Sequence, residues 1–270
     1  MSGYNQKIVR TRSYVEIWEY EKPIFTKGEL LETNEQVNID KDKTKRKTFD
    51  ELTTEEQEKR LDRMNKTRQE AKWRILRLVD CNFDDRTSFL TLTTKENIQD
   101  RDEFCNYFKS FIKRYNYQVF NSKKSKLRYL AVLERQQRKA WHVHILLFGV
   151  PFVPHKELLE MWGLGAVRIN RLDNLDEVSN AGRYVAKYME KGIGQELLES
   201  FGKKAYLCSR NLKKPDETKQ FMKEKLEFDS KVVLYETEYT SRIYKDGQLI
   251  VNPVRYRKIK LIDERGSANE

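Results

Sequence analysis

The sequence predicts an α+β fold, with a central antiparallel sheet of four to five strands and helices packed on one face. A helical arm precedes this sheet and a β extension follows it. Three observations carry the prediction. Ser88–Thr94, Leu127–Glu134 and Trp141–Phe148 are runs rich in apolar, β-branched and aromatic residues, the composition of strands. Between the first two, Phe104, Phe108, Phe111 and Ile112 recur at i, i+4, i+7 and i+8, the period of an amphipathic helix. A short polar connection, Arg135 to Ala140, joins the second and third strands, so these form an antiparallel hairpin.

Taken in order, Ser13–Tyr20 alternates well enough for a strand, expected to stop near Pro23. Residues 34–48 are polar and charge-dense and read as a solvated loop. Thr53 with Glu56 offers a capping box for a long helix reaching about Val79. Its early part is almost wholly charged, with apolar residues gathering at Trp73, Ile75, Leu76 and Leu78, so it reads as a surface arm. The basic stretch from Lys41 to Arg77 is expected to assist nucleic-acid recognition rather than chemistry. Beyond the hairpin, a short helix after Pro154 and a longer one ending near Lys191 complete the centre. Pro215–Glu227 reads as helical, Tyr239–Tyr244 and Gln248–Val251 flank an Asp-Gly turn, and Val254–Leu261 reads as a further strand. The organisation predicted is an arm over residues 1–84, a core over 85–195 and an extension over 196–270.

Composition narrows the function. Lysine and arginine number 53 against 42 acidic residues, a formal charge of +11, which favours polyanionic partners. The 14 Tyr, 13 Phe and 4 Trp add rings on which unpaired bases can stack, so single-stranded nucleic acid fits both features. Cys81, Cys105 and Cys208 are odd in number and scattered, matching neither a disulfide framework nor a zinc ribbon, and a reducing cytoplasm is expected. No apolar run approaches membrane-spanning length, so no membrane association is expected. No G-x-x-x-x-G-K-[S/T] loop occurs, so any ATP-driven unwinding of duplex DNA would need a separate helicase.

Two of only three histidines, His142 and His144, sit one residue apart on the third strand. Side chains on a strand repeat every two residues, so both imidazoles leave one face, a pattern suited to a divalent cation. Two partly buried strand histidines are the plain alternative. Glu134 ends the partner strand and in one hairpin register falls opposite or diagonal to His142. It is equally placed as a surface partner for Arg135 or Arg138. Downstream, Tyr184 and Tyr188 are four residues apart and share a helical face beside the apolar stripe Val178, Ala181, Val185 and Met189. Lys187 follows Tyr184 by three and can lie near its hydroxyl. A phenol with a pKa of about 10 needs such help to act as a nucleophile.

A Thr-rich strand (Phe89–Thr94), a His-Val-His strand and a Tyr-Val-Ala-Lys-Tyr helix, in this order, resemble the HUH endonuclease superfamily. The likeness is to the rolling-circle replication initiators of small plasmids and single-stranded DNA phages, and it spans roughly residues 85–195. The resemblance implies an RRM-like or ferredoxin-like sheet presenting a metal site. His142 and His144 would ligate Mg²⁺ or Mn²⁺, with Glu134 as third ligand. Tyr184 would cut single-stranded origin DNA to leave a 5′-phosphotyrosine and a free 3′-hydroxyl, and Tyr188 would serve as second nucleophile. Host helicase and DNA polymerase would be partners. Relaxases usually carry the tyrosine before the histidines, and single-tyrosine transposases are typically shorter. A single-strand transposase, a non-catalytic single-strand-binding module and a metallohydrolase using water remain the alternatives.

Overall fold

The computed structural model describes residues 3–25, 49–171, 203–224, 226–245 and 248–261. Its elements in chain order are β1 (Gly3–Arg10), β2 (Tyr14–Phe25), α1 (Thr54–Asn82), β3 (Ser88–Thr93), α2 (Arg101–Phe120), β4 (Arg128–Arg135), β5 (Trp141–Phe148), α3 (His155–Trp162), β6 (Val167–Arg171), β7 (Leu207–Cys208), β8 (Asp216–Gln220), β9 (Val233–Lys245) and β10 (Gln248–Lys260). By contact the chain groups into two units: residues 1–46 with 214–270, and residues 47–213. Each holds one five-stranded antiparallel sheet, so the α+β class predicted from sequence is the class observed.

In the unit of residues 47–213 the strand order is β6-β3-β5-β4-β7, which puts β5 at the centre. One face carries Leu90, Leu92, Ala131, Val143, Ile145 and Leu147. Against it pack Phe104, Phe108 and Phe111 of α2 and Leu158, Met161 and Trp162 of α3, all buried. The three phenylalanines read as core from their spacing are core. Asp100 caps α2 through its carboxylate, which accepts the Glu103 N–H, and Asn121 closes the helix in the left-handed region.

The other face is covered in part by α1. Thr53 and Glu56 form the expected capping box. The charged first half of the helix is largely exposed, and only its last turns bury Ile75, Leu78 and Val79. These pack on Phe89, Leu130, Val132, Leu146 and Phe148. Helices therefore lie on both faces of this sheet, α2 and α3 behind and the end of α1 in front. Asp84 ties the α1 exit to the sheet by accepting the Gly149 N–H at 3.0 Å and pairing with Arg128 at 3.2 Å. Gly149 has φ +59°, and a Cβ there would collide with the Arg128 guanidinium, so glycine is required.

The unit of residues 1–46 and 214–270 is a sheet of order β8-β1-β2-β10-β9. β2 continues past Pro23 to Phe25, farther than expected. The ladder with β1 jumps from Gln6↔Glu19 to Tyr4↔Ile24, and Pro23 falls inside that irregularity, where its missing N–H costs no ladder bond. The helix expected over Pro215–Glu227 is not formed. Asp216–Gln220 is instead β8, paired with β1 from Gln6↔Gln220 to Arg10↔Asp216. Its residues carry no apolar stripe for a helix to bury, whereas the β1 edge satisfies their backbone groups. β9 and β10 pair as the Asp-Gly signal predicts, and the two strands expected at Gln248–Val251 and Val254–Leu261 are one continuous β10.

Candidate metal centre

The site is assembled by register. Antiparallel pairing sets Glu134 of β4 directly opposite His142 of β5, and Thr91 of β3 directly opposite His144. Residues paired across antiparallel strands share a face, so Glu134, His142, His144 and Thr91 stand together. That face is the one on which α1 packs, not the one filled by α2 and α3.

Glu134 Oε2 lies 3.0 Å from His142 Nε2 and 2.7 Å from His144 Nε2. The two imidazole centroids are 4.5 Å apart. On the far side of its ring, His144 Nδ1 is 3.1 Å from the Thr91 hydroxyl, and Phe89 stacks on the ring at 5.6 Å with planes 14° apart. His144 is thus held on both an edge and a face, with its Nε2 aimed at the carboxylate. His142 is held less firmly, with Gln136 Nε2 at 3.4 Å from its Nδ1. Burial alone would raise the Glu134 carboxyl, but hydrogen bonds from the two histidines and the charge on their rings outweigh it and hold it at about 2.

One carboxylate oxygen and two imidazole nitrogens, all within 4.8 Å of one another, are a ligand set for a metal ion. Adjacent ligands of an octahedral cation with bonds of about 2.1 Å sit roughly 3 Å apart, the separation found between Glu134 and each histidine. Three protein ligands on one side leave further positions for water or a phosphate oxygen. Arg138 is not the partner of Glu134: its guanidinium reaches Gln136 Oε1 at 3.0 Å and the carbonyls of Thr94 and Lys95. Arg135 lies over the Trp141 ring at 5.2 Å. The third histidine, His155, bonds the Val167 carbonyl and takes no part.

Sequence reasoning missed Thr91, Phe89 and Arg168. β6 pairs with β3 so that Arg168 stands opposite Thr91, which puts an exposed guanidinium on the site's face of the edge strand. Only the register of three strands reveals these neighbours. Tyr184, Lys187 and Tyr188 lie outside the described residues.

Among the described residues no helix is long and apolar enough to cross a membrane. Residues 87–193 match a family model whose description is replication-associated protein, the ORF2 type. That span takes in the sheet strands bearing Glu134, His142 and His144 and the segment bearing Tyr184 and Tyr188. The family description implies DNA as partner. No curated protein and no solved structure shows significant similarity to the chain.

Proposed function

We propose that this chain, replication-associated over residues 87–193, is a rolling-circle initiator of the HUH endonuclease kind. It would nick and rejoin single-stranded origin DNA through a 5′-phosphotyrosine intermediate. The observation that supports this most is the convergence of Glu134 Oε2 with His142 and His144 Nε2 at 2.7 to 3.0 Å, inside the segment that matches a replication family.

Glu134 with a carboxyl pKa of about 2 is anionic at neutral pH, so it supplies charge as well as an oxygen. The Thr91 hydroxyl accepts the Nδ1 proton of His144, which keeps Nε2 free to ligate. Mg²⁺ or Mn²⁺ held here would polarise the scissile phosphodiester. The Tyr184 hydroxyl then attacks phosphorus as it loses its proton to water, and the Lys187 ammonium steadies the forming phenolate. The bond from phosphorus to the 3′-oxygen breaks, that oxygen takes a proton from solvent, and a 3′-hydroxyl is free to prime synthesis. Tyr188, one helical turn on, serves the second transesterification that rejoins the strand. Arg168, on the site's face of β6, balances phosphate charge. Unwinding and extension fall to host helicase and polymerase.

The test is incubation of the protein and Mn²⁺ with a library of single-stranded origin oligonucleotides, followed by a denaturing gel. A protein–DNA adduct that is lost in Tyr184→Phe and kept in Tyr188→Phe is expected. Cutting that yields two free ends and survives Tyr184→Phe means that water is the nucleophile. Binding without any cutting leaves a single-strand-binding module.

A further inference from the structure

The sheet of the other unit presents a face that the nicking reading does not use. Its register aligns Tyr256 of β10 with Trp18 of β2, with Lys7 of β1 next in the row and Lys219 of β8 after it. Neighbouring rows place Tyr239 of β9 beside Val254, and Tyr235 beside Lys258. The rings form a continuous path. Tyr235 and Tyr256 are 6.0 Å apart between centroids, and Tyr256 and Trp18 are 5.0 Å apart. The Trp18 indole bonds the Tyr239 side chain. Tyr235 and Tyr239 are 56% and 46% exposed on the edge strand, while Trp18 and Tyr256 are half-buried.

Cations border this path. The Lys7 ammonium stands 5.4 Å from the Trp18 ring, and Lys258 stands 3.7 Å from Tyr14. Lys7 and Lys219 converge on Glu217 at 3.2 and 3.3 Å, two ammoniums about one carboxylate. The other acid on the face, Glu16, is buried and accepts the Tyr256 hydroxyl at 2.7 Å, which fixes that ring. The reverse face differs in kind. Its charges are paired, Arg257 with Glu19 and Arg255 with Glu236, and Phe228 covers Arg257 at 4.9 Å.

We infer that the face bearing Tyr235, Tyr239, Tyr256 and Trp18 is a nucleic-acid surface in its own right. It takes a single strand, with bases stacked on these rings and phosphates set toward Lys7 and Lys219. Rings on a sheet can stack only on bases whose π-faces are open, which excludes an intact duplex, and the positive border selects a polyanion over an apolar peptide. The surface lies outside residues 87–193 and needs no metal, so it stands independently of the nicking reading.

The experiment titrates the full chain into a fluorescent oligothymidylate of about 15 nucleotides and into a duplex of equal length, without metal. The double variant Tyr235→Ala, Tyr239→Ala is expected to bind the single strand about tenfold more weakly, the scale of base–aromatic stacking. Its salt dependence and its duplex affinity should stay as in the parent, because no charge has changed. Unaltered single-strand affinity, or equal weakening on both ligands, overturns the proposal. Photocrosslinking of the unmodified protein to an iodouracil-substituted strand is a second measurement. Adducts on peptides holding Trp18, Tyr235, Tyr239 or Tyr256 are expected, and adducts confined to residues 47–213 overturn it. Nicking lost in His142→Ala with this binding intact bears on the metal centre alone.

Discussion

Thr91→Val tests whether the Thr91 hydroxyl positions His144. Valine keeps the shape and the β-preference of the site while removing the hydroxyl 3.1 Å from His144 Nδ1. His144 is only 5% exposed, so water substitutes poorly for that contact. Without a metal the ring can place its proton on Nε2 and donate to Glu134 at 2.7 Å, so the loss at Nδ1 is mild. With a metal the proton must sit on Nδ1, and valine offers it no acceptor. The cost thus falls mainly on the metal-bound form. Loss of an outer partner of a ligating histidine typically weakens metal binding 10- to 100-fold, or about 1.4 to 2.7 kcal/mol. Calorimetric titration with Mn²⁺ should show a shift of that size in Thr91→Val and near-parental affinity in Thr91→Ser. A dissociation constant for Thr91→Val within about twofold of the parent would refute the assigned role, since about 1.4 kcal/mol is the smallest effect expected.

Other outcomes follow from the same geometry. His142→Ala or His144→Ala should abolish nicking while salt-sensitive DNA binding, followed by anisotropy, stays near that of the parent. Phe108→Ala empties a fully buried position between α2 and the sheet and should lower unfolding free energy by about 3 to 5 kcal/mol in denaturant titration. Deletion of residues 1–25 removes β1 and β2, two inner strands, and exposes the edges of β8 and β10. Aggregation by light scattering is expected, whereas a soluble variant with unchanged β-signal in circular dichroism counts against the sheet order.

Legibility in the sequence followed the reach of each signal. β5 was readable to the residue, because Trp141–Phe148 is one strand-forming run bounded by polar and glycine positions. The Glu134–His142 pairing followed from a hairpin, where local chain geometry limits the register. Thr91 and Arg168 were not readable, since β3 and β6 reach the site through pairings that no short-range pattern announces. The packing of α1 on the site's face was half visible. Ile75 and Leu78 marked an apolar end, but nothing said which face of the sheet would receive it. Asp216–Gln220 was misread as helical because its strand character comes from the β1 edge rather than from its own side chains.

The pairing of β2 with β10 has a consequence for how the protein is made. Tyr256 meets Glu16 across 240 positions of chain, and Asn252 meets Lys22 across 230. During synthesis the first strands leave the ribosome long before their partner exists. The unit of residues 47–213, with α2 and the β4–β5 hairpin built from nearby residues, can close first. β2 must wait with its ladder groups unmet until β10 emerges. A chain released early therefore carries a folded centre with an open-edged, incomplete sheet, the kind of species that proteases and chaperones remove. This order of closure makes completion of the aromatic sheet a late step in the maturation of each molecule.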